Sequence, residues 1–190
     1  MRTGTMITTV LLLAGCGAYQ LTPLAVAARE GNTARIGELI RNGADPNGRS
    51  GVNEWTPLMH AIHKNQKASV IALAEAGADL NLRGGEMTPL IMAAGYGQTD
   101  LVRELLKRGA DPHVTGSHGI NALTAAVGGA ADVDRFTAGT CQTDTVRALL
   151  ERAPGLRPAD NLFTRATMIT ARLRDCRELR ELLNRPAKAK

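Results

Sequence analysis

The sequence predicts an all-α solenoid, because one helix-turn-helix unit recurs along it with a period near 33 residues. Two triplets mark the units. The triplet Thr-Pro-Leu begins at Thr22, Thr56 and Thr88, which are 34 and 32 residues apart. The triplet Gly-Ala-Asp begins at Gly43, Gly77 and Gly109, with the same two spacings. Such periods are typical of architectures in which each unit buries its apolar face against its neighbours.

The third unit, residues 87–112, is the most regular and predicts two short helices. Thr88 can cap the first helix, and proline is tolerated in a first helical turn because its missing N–H leaves no hydrogen bond unmade. Gly95 and Gly97 are expected to end this helix, and Thr99-Asp100 to cap the second. Gly109 is expected to end the second helix in a left-handed conformation. The apolar stripe of that helix consists of Leu101, Val102, Leu105 and Leu106.

A fourth and weaker unit follows 33 residues later, where Asn121-Ala122-Leu123 replaces the first triplet. Residues 128–142 contain an insertion of about ten residues, which is either a functional loop or a tolerated surface loop. Phe136 within it is a candidate for holding the loop against the body. Residues 158–190 are expected to form C-terminal capping helices with a charged outer face.

With both triplets in register three times, residues 22–157 resemble the ankyrin repeat family. The resemblance implies four repeats plus a C-terminal capping repeat, with short β-hairpin-like loops, here called fingers. It also implies a protein-binding role, with partners meeting the fingertips and the exposed side of the first helices. Carried onto this sequence, the fingertip candidates are Arg49, Glu54, Trp55, Arg83, Glu86, Met87, His113 and His118. The first-helix candidates are His60, Lys64, Met92 and Tyr96.

Trp55 is the only tryptophan and directly precedes the second Thr-Pro-Leu triplet. An exposed aromatic side chain there is a candidate for a residue that dominates the binding energy. The alternative is that Trp55 folds back over the neighbouring finger.

The sequence offers little for catalysis or for a cofactor. It has no Gly-rich phosphate loop, no nucleophile elbow and no Cys-x-x-Cys pair. His60 and His63 are three residues apart, but no third ligand has matching spacing, so no metal site is expected. The aspartates of the Gly-Ala-Asp triplets are explained by turns in which they bond local backbone N–H groups. We therefore expect a protein that is not an enzyme and binds no cofactor.

The N-terminus has the features of a secretory signal: Met1-Arg2, an apolar run over residues 6–13, and small residues before Cys16. The ending Leu13-Ala14-Gly15-Cys16 resembles the bacterial lipoprotein signal. This resemblance implies that residues 1–15 are removed and that Cys16 carries fatty acyl chains such as palmitate. Residues 16–21 would then be a short tether, and Gly17 in place of Asp favours the outer membrane of a Gram-negative cell, facing the periplasm. The alternatives are an ordinary signal peptide with a chance cysteine, or a short buried helix.

Cys141 and Cys176 remain as an even pair in a compartment that favours disulfides. They precede or begin second helices of adjacent units, so a bridge between them is geometrically plausible. The alternative is two free or buried thiols.

The positive charge lies at the C-terminal end, where residues 141–190 hold 11 Lys or Arg and 6 Asp or Glu. This end is a solvated cap, or a surface for an acidic protein or for lipid headgroups. Nucleic acid is not expected, because no recognised nucleic-acid module is present and aromatics are few.

Together these features predict a monomeric, membrane-anchored periplasmic protein that binds an unidentified protein partner as a scaffold or inhibitor. One alternative is an immunity protein that neutralises a toxic envelope-acting enzyme. Another is a structural or stress-protection protein of the envelope. An enzyme or small-ligand protein would need a pocket with convergent polar groups.

Overall fold

The computed structural model describes residues 20–129, 141–160, 165 and 176–184. Several predicted features lie outside these residues. They are the signal segment 1–15, Cys16, most of the tether 16–21, Phe136 with most of the insertion 128–142, and most of the cap 158–190.

Nine α-helices lie in the part of the chain that the structure describes. They are α1 (Pro23–Glu30), α2 (Thr33–Arg41), α3 (Pro57–His63), α4 (Lys67–Glu75), α5 (Pro89–Gly95), α6 (Thr99–Lys107), α7 (Ala122–Gly128), α8 (Thr143–Arg152) and α9 (Arg177–Asn184). A 3-10 turn at Ser117–Gly119 lies between α6 and α7. The predicted all-α repeat fold is confirmed.

The helices form two layers. The first helices of the four repeats lie side by side, with α1 against α3, α3 against α5, and α5 against α7. In the layer of second helices α2 packs on α4, α6 on α8, and α8 on α9. The apolar stripe of α6 is buried between them, as predicted: Leu101, Val102, Leu105 and Leu106.

Threonine caps begin the first helices, as predicted. The hydroxyl oxygens of Thr22, Thr56 and Thr88 each accept a hydrogen bond from the backbone N–H three residues on, at 3.2–3.3 Å. Asn121 replaces threonine in the fourth repeat, and its Oδ1 accepts from the N–H of Thr124 at 2.9 Å. A short polar side chain thus satisfies one free N–H at the start of each of the four first helices.

The predicted cap of α6 at Thr99-Asp100 is wrong, because Gln98 occupies the cap position and α6 begins at Thr99. The Gln98 side chain reaches the preceding repeat, where Nε2 donates to the carbonyl oxygen of Ile62 at 2.8 Å. Gln142 bonds the carbonyl of Gly95 in the same way at 3.0 Å. These glutamines join successive repeats instead of closing their own helix, a role that local sequence spacing does not show.

The Gly-Ala-Asp triplets end the second helices and form a ladder of hydrogen bonds between repeats. Each glycine has a positive φ, between 86° and 99°, which glycine adopts without steric cost. Each aspartate accepts from the N–H two residues on, as predicted. The amide oxygens of Asn47 and Asn81 then accept from the N–H groups of Asp79 and Asp111, both at 2.8 Å.

Two short hairpins form the first two fingers. Ser50 pairs with Trp55 and Gly84 pairs with Met87 in isolated antiparallel bridges. The Ser50–Trp55 finger is two residues longer. The turn at Ser117–Gly119 forms a third finger, held by a hydrogen bond from Ser117 N–H to the Glu86 carbonyl at 2.7 Å.

A disulfide joins Cys141, which precedes α8, to Cys176, which precedes α9, with their Cα atoms 5.8 Å apart. Cys141 is exposed and Cys176 is buried. Arg147 of α8 also pairs with Glu178 of α9. The disulfide, this ion pair and the buried side chain of Leu179 therefore help to hold α9 against the fourth repeat.

None of the helices in the described residues combines the length and the apolar character that crossing a bilayer requires.

Candidate protein-binding groove

A groove of about 620 Å³ lies between the three fingers and the first helices of repeats three and four, α5 and α7. Its floor and walls are mostly apolar, formed by Val52, Trp55, Met87, Ile91, Met92, Tyr96, Ile120 and Ala125. Asn53, Glu54, Glu86 and Ser117 add polar groups from the fingers. The groove combines an apolar base with polar edges, as many binding clefts do.

Trp55 folds back towards α3 and at the same time forms part of the groove wall. Its ring centroid lies 5.6 Å from that of His60 and 5.2 Å from that of His63, in edge and tilted arrangements. Such arrangements suit the opposite charges of ring faces and edges. Trp55 is half-buried. Of the two positions left open by the sequence, exposed or folded back over the neighbouring finger, Trp55 adopts neither in full: it packs against α3 and still reaches the groove.

The histidines of α3 are buried in an aromatic cluster behind Trp55. His60 is 6% exposed, and its Nε2 lies 3.4 Å from the carbonyl oxygen of Ser50. The Nδ1 of His63 lies 3.1 Å from the hydroxyl of Tyr96. His60 was predicted to present itself to a partner. It supports the finger from behind instead, because α3 turns this face into the stack.

Burial lowers the pKa of His60 below the ordinary value of 6.5, and the charges of Arg29 and His63 lower it further. The hydrogen bond to the Ser50 carbonyl opposes this shift. As the pH falls, the unfolded chain takes up this proton before the folded chain does. The contribution of His60 to stability is therefore full above pH 6.5 and is lost as the pH falls through its folded pKa.

We expect the unfolding free energy to decrease as the pH falls below about 6.5, and to decrease less in His60→Gln. Glutamine can still donate to the Ser50 carbonyl but does not titrate. Urea unfolding at several pH values measures this, and His113→Gln, an exposed histidine, serves as the control. Parallel curves for the wild type and His60→Gln would contradict the role of His60.

Met92 and Tyr96 line the floor of the groove but offer little surface, since they are 2% and 8% exposed. Both were predicted on the exposed side of the first helices. The small residues of α5, Ala93 and Ala94, allow close packing with neighbouring helices, so these larger side chains are buried. Met87 is half-buried, and Glu54 and Glu86 are exposed at the edge, where a partner can reach them.

The remaining predicted residues are not among those that line the groove. Arg49, Arg83, His113 and His118 are exposed elsewhere on the fingers and turns. Lys64 lies at the other end of α3, beside a smaller hollow that Arg29 and Glu30 also line.

Val52 was missed by the sequence reasoning, although it is 77% exposed at the tip of the longer finger. Its exposed apolar surface adjoins the apolar lining of the groove, and a contiguous apolar patch favours contact with a partner. The sequence signal that could have identified it is an apolar residue between glycine and asparagine in a predicted loop. Ile91 and Ile120 were also missed, because only the folded chain brings them to the groove.

Glu54 has a φ of +52°, in the left-handed region that non-glycine residues rarely adopt. This conformation costs about 1 kcal/mol or more for an ordinary L-residue. In the next finger Gly85 has a φ of +57° and takes the turn without that cost. The first finger therefore carries a charged side chain in a conformation that glycine would adopt more easily.

The described residues contain no group of three or more His, Cys, Asp or Glu side chains that could hold a metal ion. Within the described part of the groove lining there is no histidine or cysteine, and the two carboxylates found there lie on separate fingers. The arrangement of these lining residues is suited to binding a surface.

Two protein-family models match the chain. One describes ankyrin repeats in three copies and matches residues 4–84, and the other describes ankyrin repeats in many copies and matches residues 73–126. Palmitoyltransferase AKR1 of Kluyveromyces lactis is 36% identical over 110 residues, which cover 53% of this chain and 14% of that protein. An ankyrin repeat-containing protein of Treponema pallidum is 33% identical over 100 residues, 52% of this chain and 34% of the relative. Human ankyrin repeat and SOCS box protein 6 is 31% identical over 144 residues, 72% of this chain and 33% of the relative. The chain thus matches only about a third or less of the length of these relatives.

Proposed function

Because the chain belongs to the ankyrin repeat family, whose fold serves as a protein-interaction module, we propose that it acts by binding a partner protein in its concave groove, without catalysis of its own. The observation that carries the proposal is the groove itself. It is open and mostly apolar, with half-buried Trp55 and Met87 at its wall and the exposed Val52 at its edge. Large apolar side chains at the centre of a contact surface contribute most of the binding energy.

Binding by this groove would serve as a scaffold for the partner or as an inhibitor that blocks it. An immunity protein against a toxic envelope-acting enzyme is one form of the inhibitor, and a supporting protein of the envelope is one form of the scaffold. If the protein is an immunity protein, its partner has hydrolytic or membrane-damaging activity that stops in the complex. If it is a supporting protein, the activity or abundance of the partner depends on it.

A photo-crosslinking amino acid at Val52 is expected to trap the partner in living cells. Val52 suits this because its side chain is exposed and the change leaves the core untouched. The same amino acid at Lys107, exposed on α6 of the other layer, is the matched control. A protein that crosslinks from residue 52, not from residue 107, and less in a Trp55→Ala background supports the proposal. The same crosslinks from both positions, or none from residue 52, would contradict it.

We further propose that the protein is lipid-anchored through Cys16 and faces the periplasm from the outer membrane. Leu13-Ala14-Gly15-Cys16, after a charged start and a short apolar run, supports this. Several acyl chains on one residue exceed the single chain that gives only marginal, reversible binding.

Replacing Cys16 with serine is expected to leave the signal uncut and to abolish fatty-acid labelling. Expression in a Gram-negative host with labelled palmitate, followed by fractionation and mass measurement, tests this. Cys141→Ser is the control, because it removes a cysteine without touching the signal. The anchor would be excluded if the wild-type protein carried no label, or if Cys16→Ser were labelled as strongly as the wild type.

A further inference from the structure

We propose that the groove binds a partner segment in which a large apolar side chain stands next to a lysine or arginine. The inference rests on the proposed function and adds the chemistry of the partner. The apolar side chain would enter the groove, and the basic side chain would lie against Glu54 and Glu86 at the fingertips.

The floor of the groove fits a large and flexible apolar side chain. Met87 and Met92 contribute unbranched thioether side chains, which adapt to the shape of what they contact. Trp55 and Ile120 form apolar walls around them. A volume of about 620 Å³ accommodates one or two large side chains from a partner segment.

Of the described residues that line the groove, two are charged, and both are acidic. Glu54 and Glu86 are exposed, and neither has an ion-pair partner among the residues that the structure describes. On the second helices, by contrast, Glu75, Glu104 and Glu151 each pair with an arginine. Among the described lining residues the groove therefore offers two carboxylates to a partner and no positive side chain, which favours a basic side chain and disfavours an acidic one.

The two acidic fingertips belong to fingers that pack against each other. A Cβ added at Gly84 would lie 2.8 Å from the carbonyl oxygen of Glu54, so the first two fingers are in close contact. The Glu86 carbonyl in turn accepts from Ser117 N–H of the third finger. The carboxylates are consequently carried by one packed row of fingers along the same groove.

The backbone of Glu54 is an independent observation in favour of a role for its charge. Its φ of +52° suits glycine, and the next finger has Gly85 in such a conformation. The backbone conformation of the turn therefore does not itself require a glutamate at this position. A partner contact is a physical reason to hold a carboxylate there.

A random-peptide library displayed on phage tests the inference when it is selected on the oxidised chain from Gly17 onward. We expect the enriched peptides to place an aromatic or large aliphatic residue within a few positions of Lys or Arg. Synthetic copies should bind the wild type and bind Glu54→Gln and Glu86→Gln about threefold more weakly each. The double variant should bind about tenfold more weakly, and salt from about 0.05 to about 0.5 M should weaken wild-type binding.

Glu30→Gln is the matched control, because Glu30 is exposed on α1 and does not line this groove. It should bind the peptides as the wild type does. Glu54→Gly is the sharper variant: it should keep or raise the melting temperature, since glycine relaxes the turn, and should still lose affinity. A loss of affinity together with a loss of folding would indicate a structural role for Glu54 and overturn the assignment.

Enriched peptides that lack basic residues or carry acidic ones would overturn the inference, as would full affinity in the double variant. No enrichment at all would exclude a short linear segment as the occupant. The proposed function is judged separately by crosslinking from residue 52. A crosslinked partner without enriched peptides leaves that function standing, whereas failure of both removes the groove as a binding site.

Discussion

Removing the Cys141–Cys176 disulfide is expected to destabilise the C-terminal end of the stack by up to about 4 kcal/mol, the loop-closure entropy for this sequence separation. The bridge joins residues 35 apart and holds α9 on α8, and an exposed ion pair between Arg147 and Glu178 also joins the two helices. Exposed ion pairs contribute at most about 1 kcal/mol. Without the bridge, α9 retains that pair and the packing of its apolar face.

The loss of stability should be confined to the C-terminal end of the stack, because each repeat contacts only its neighbours. Urea unfolding with and without reductant measures the total effect, and hydrogen exchange locates it. In the reduced protein the Arg180 amide, which bonds the Cys176 carbonyl at 3.1 Å, should exchange faster. Amides of α4 should be unchanged.

The double variant Cys141→Ser/Cys176→Ser is the control, since reductant should have no effect on it. Cys141 is exposed, so reductant reaches the bridge in the folded protein. A thiol count on the oxidised chain from Gly17 onward gives an independent reading. Two free thiols per molecule would show that the bridge does not form.

Replacing Trp55 with alanine is expected to weaken partner binding by about 2 kcal/mol, or about thirtyfold in Kd. The side chain forms the groove wall, and its contacts with His60 and His63 fix its position before a partner arrives. An ordered anchor loses little conformational entropy on binding. Titration of an enriched peptide, or of the crosslinked partner once purified, measures the change.

The same change should also cost about 1–2 kcal/mol of stability, because Trp55 is half-buried against the core. Trp55→Phe separates the two effects: it keeps an aromatic ring beside the histidines but shortens the groove wall. Its stability should lie near that of the wild type, and its affinity between those of the wild type and Trp55→Ala. His113→Ala, exposed and away from the groove, should change neither. Unchanged affinity in a folded Trp55→Ala would remove Trp55 from the site.

The fold was predictable because its signals are local and repeated. Thr88, Pro89 and Gly109 act within a few residues of themselves, and the structure confirms a cap at Thr88, a first turn at Pro89 and a left-handed stop at Gly109. The cap of α6 was mispredicted because Thr99 has the chemistry of a cap. Its hydroxyl instead meets that of Thr145 in the next repeat, at 2.8 Å.

The groove was predictable only in part, since its shape depends on contacts between repeats. Glu54, Trp55, Glu86 and Met87 follow from their place beside the repeated triplets, and all four line it. His60 has a similar position in sequence, but Trp55 and the Ser50 carbonyl cover it. Val52 has no counterpart in the next finger, so comparing repeats could not identify it.

The ladder formed by Asn47 and Asn81 bears on how such a stack can grow in evolution. Each asparagine offers an amide oxygen to the first N–H of the next aspartate turn, so a duplicated unit placed between Asn47 and Asp79 would find a matching donor and acceptor at both junctions. His113 stands at the same place in the third repeat and has no amide oxygen, and the fourth repeat has Ala153-Pro154-Gly155 in place of the aspartate turn. We therefore expect new repeats to be accommodated more readily on the N-terminal side of His113, where the ladder of hydrogen bonds can continue.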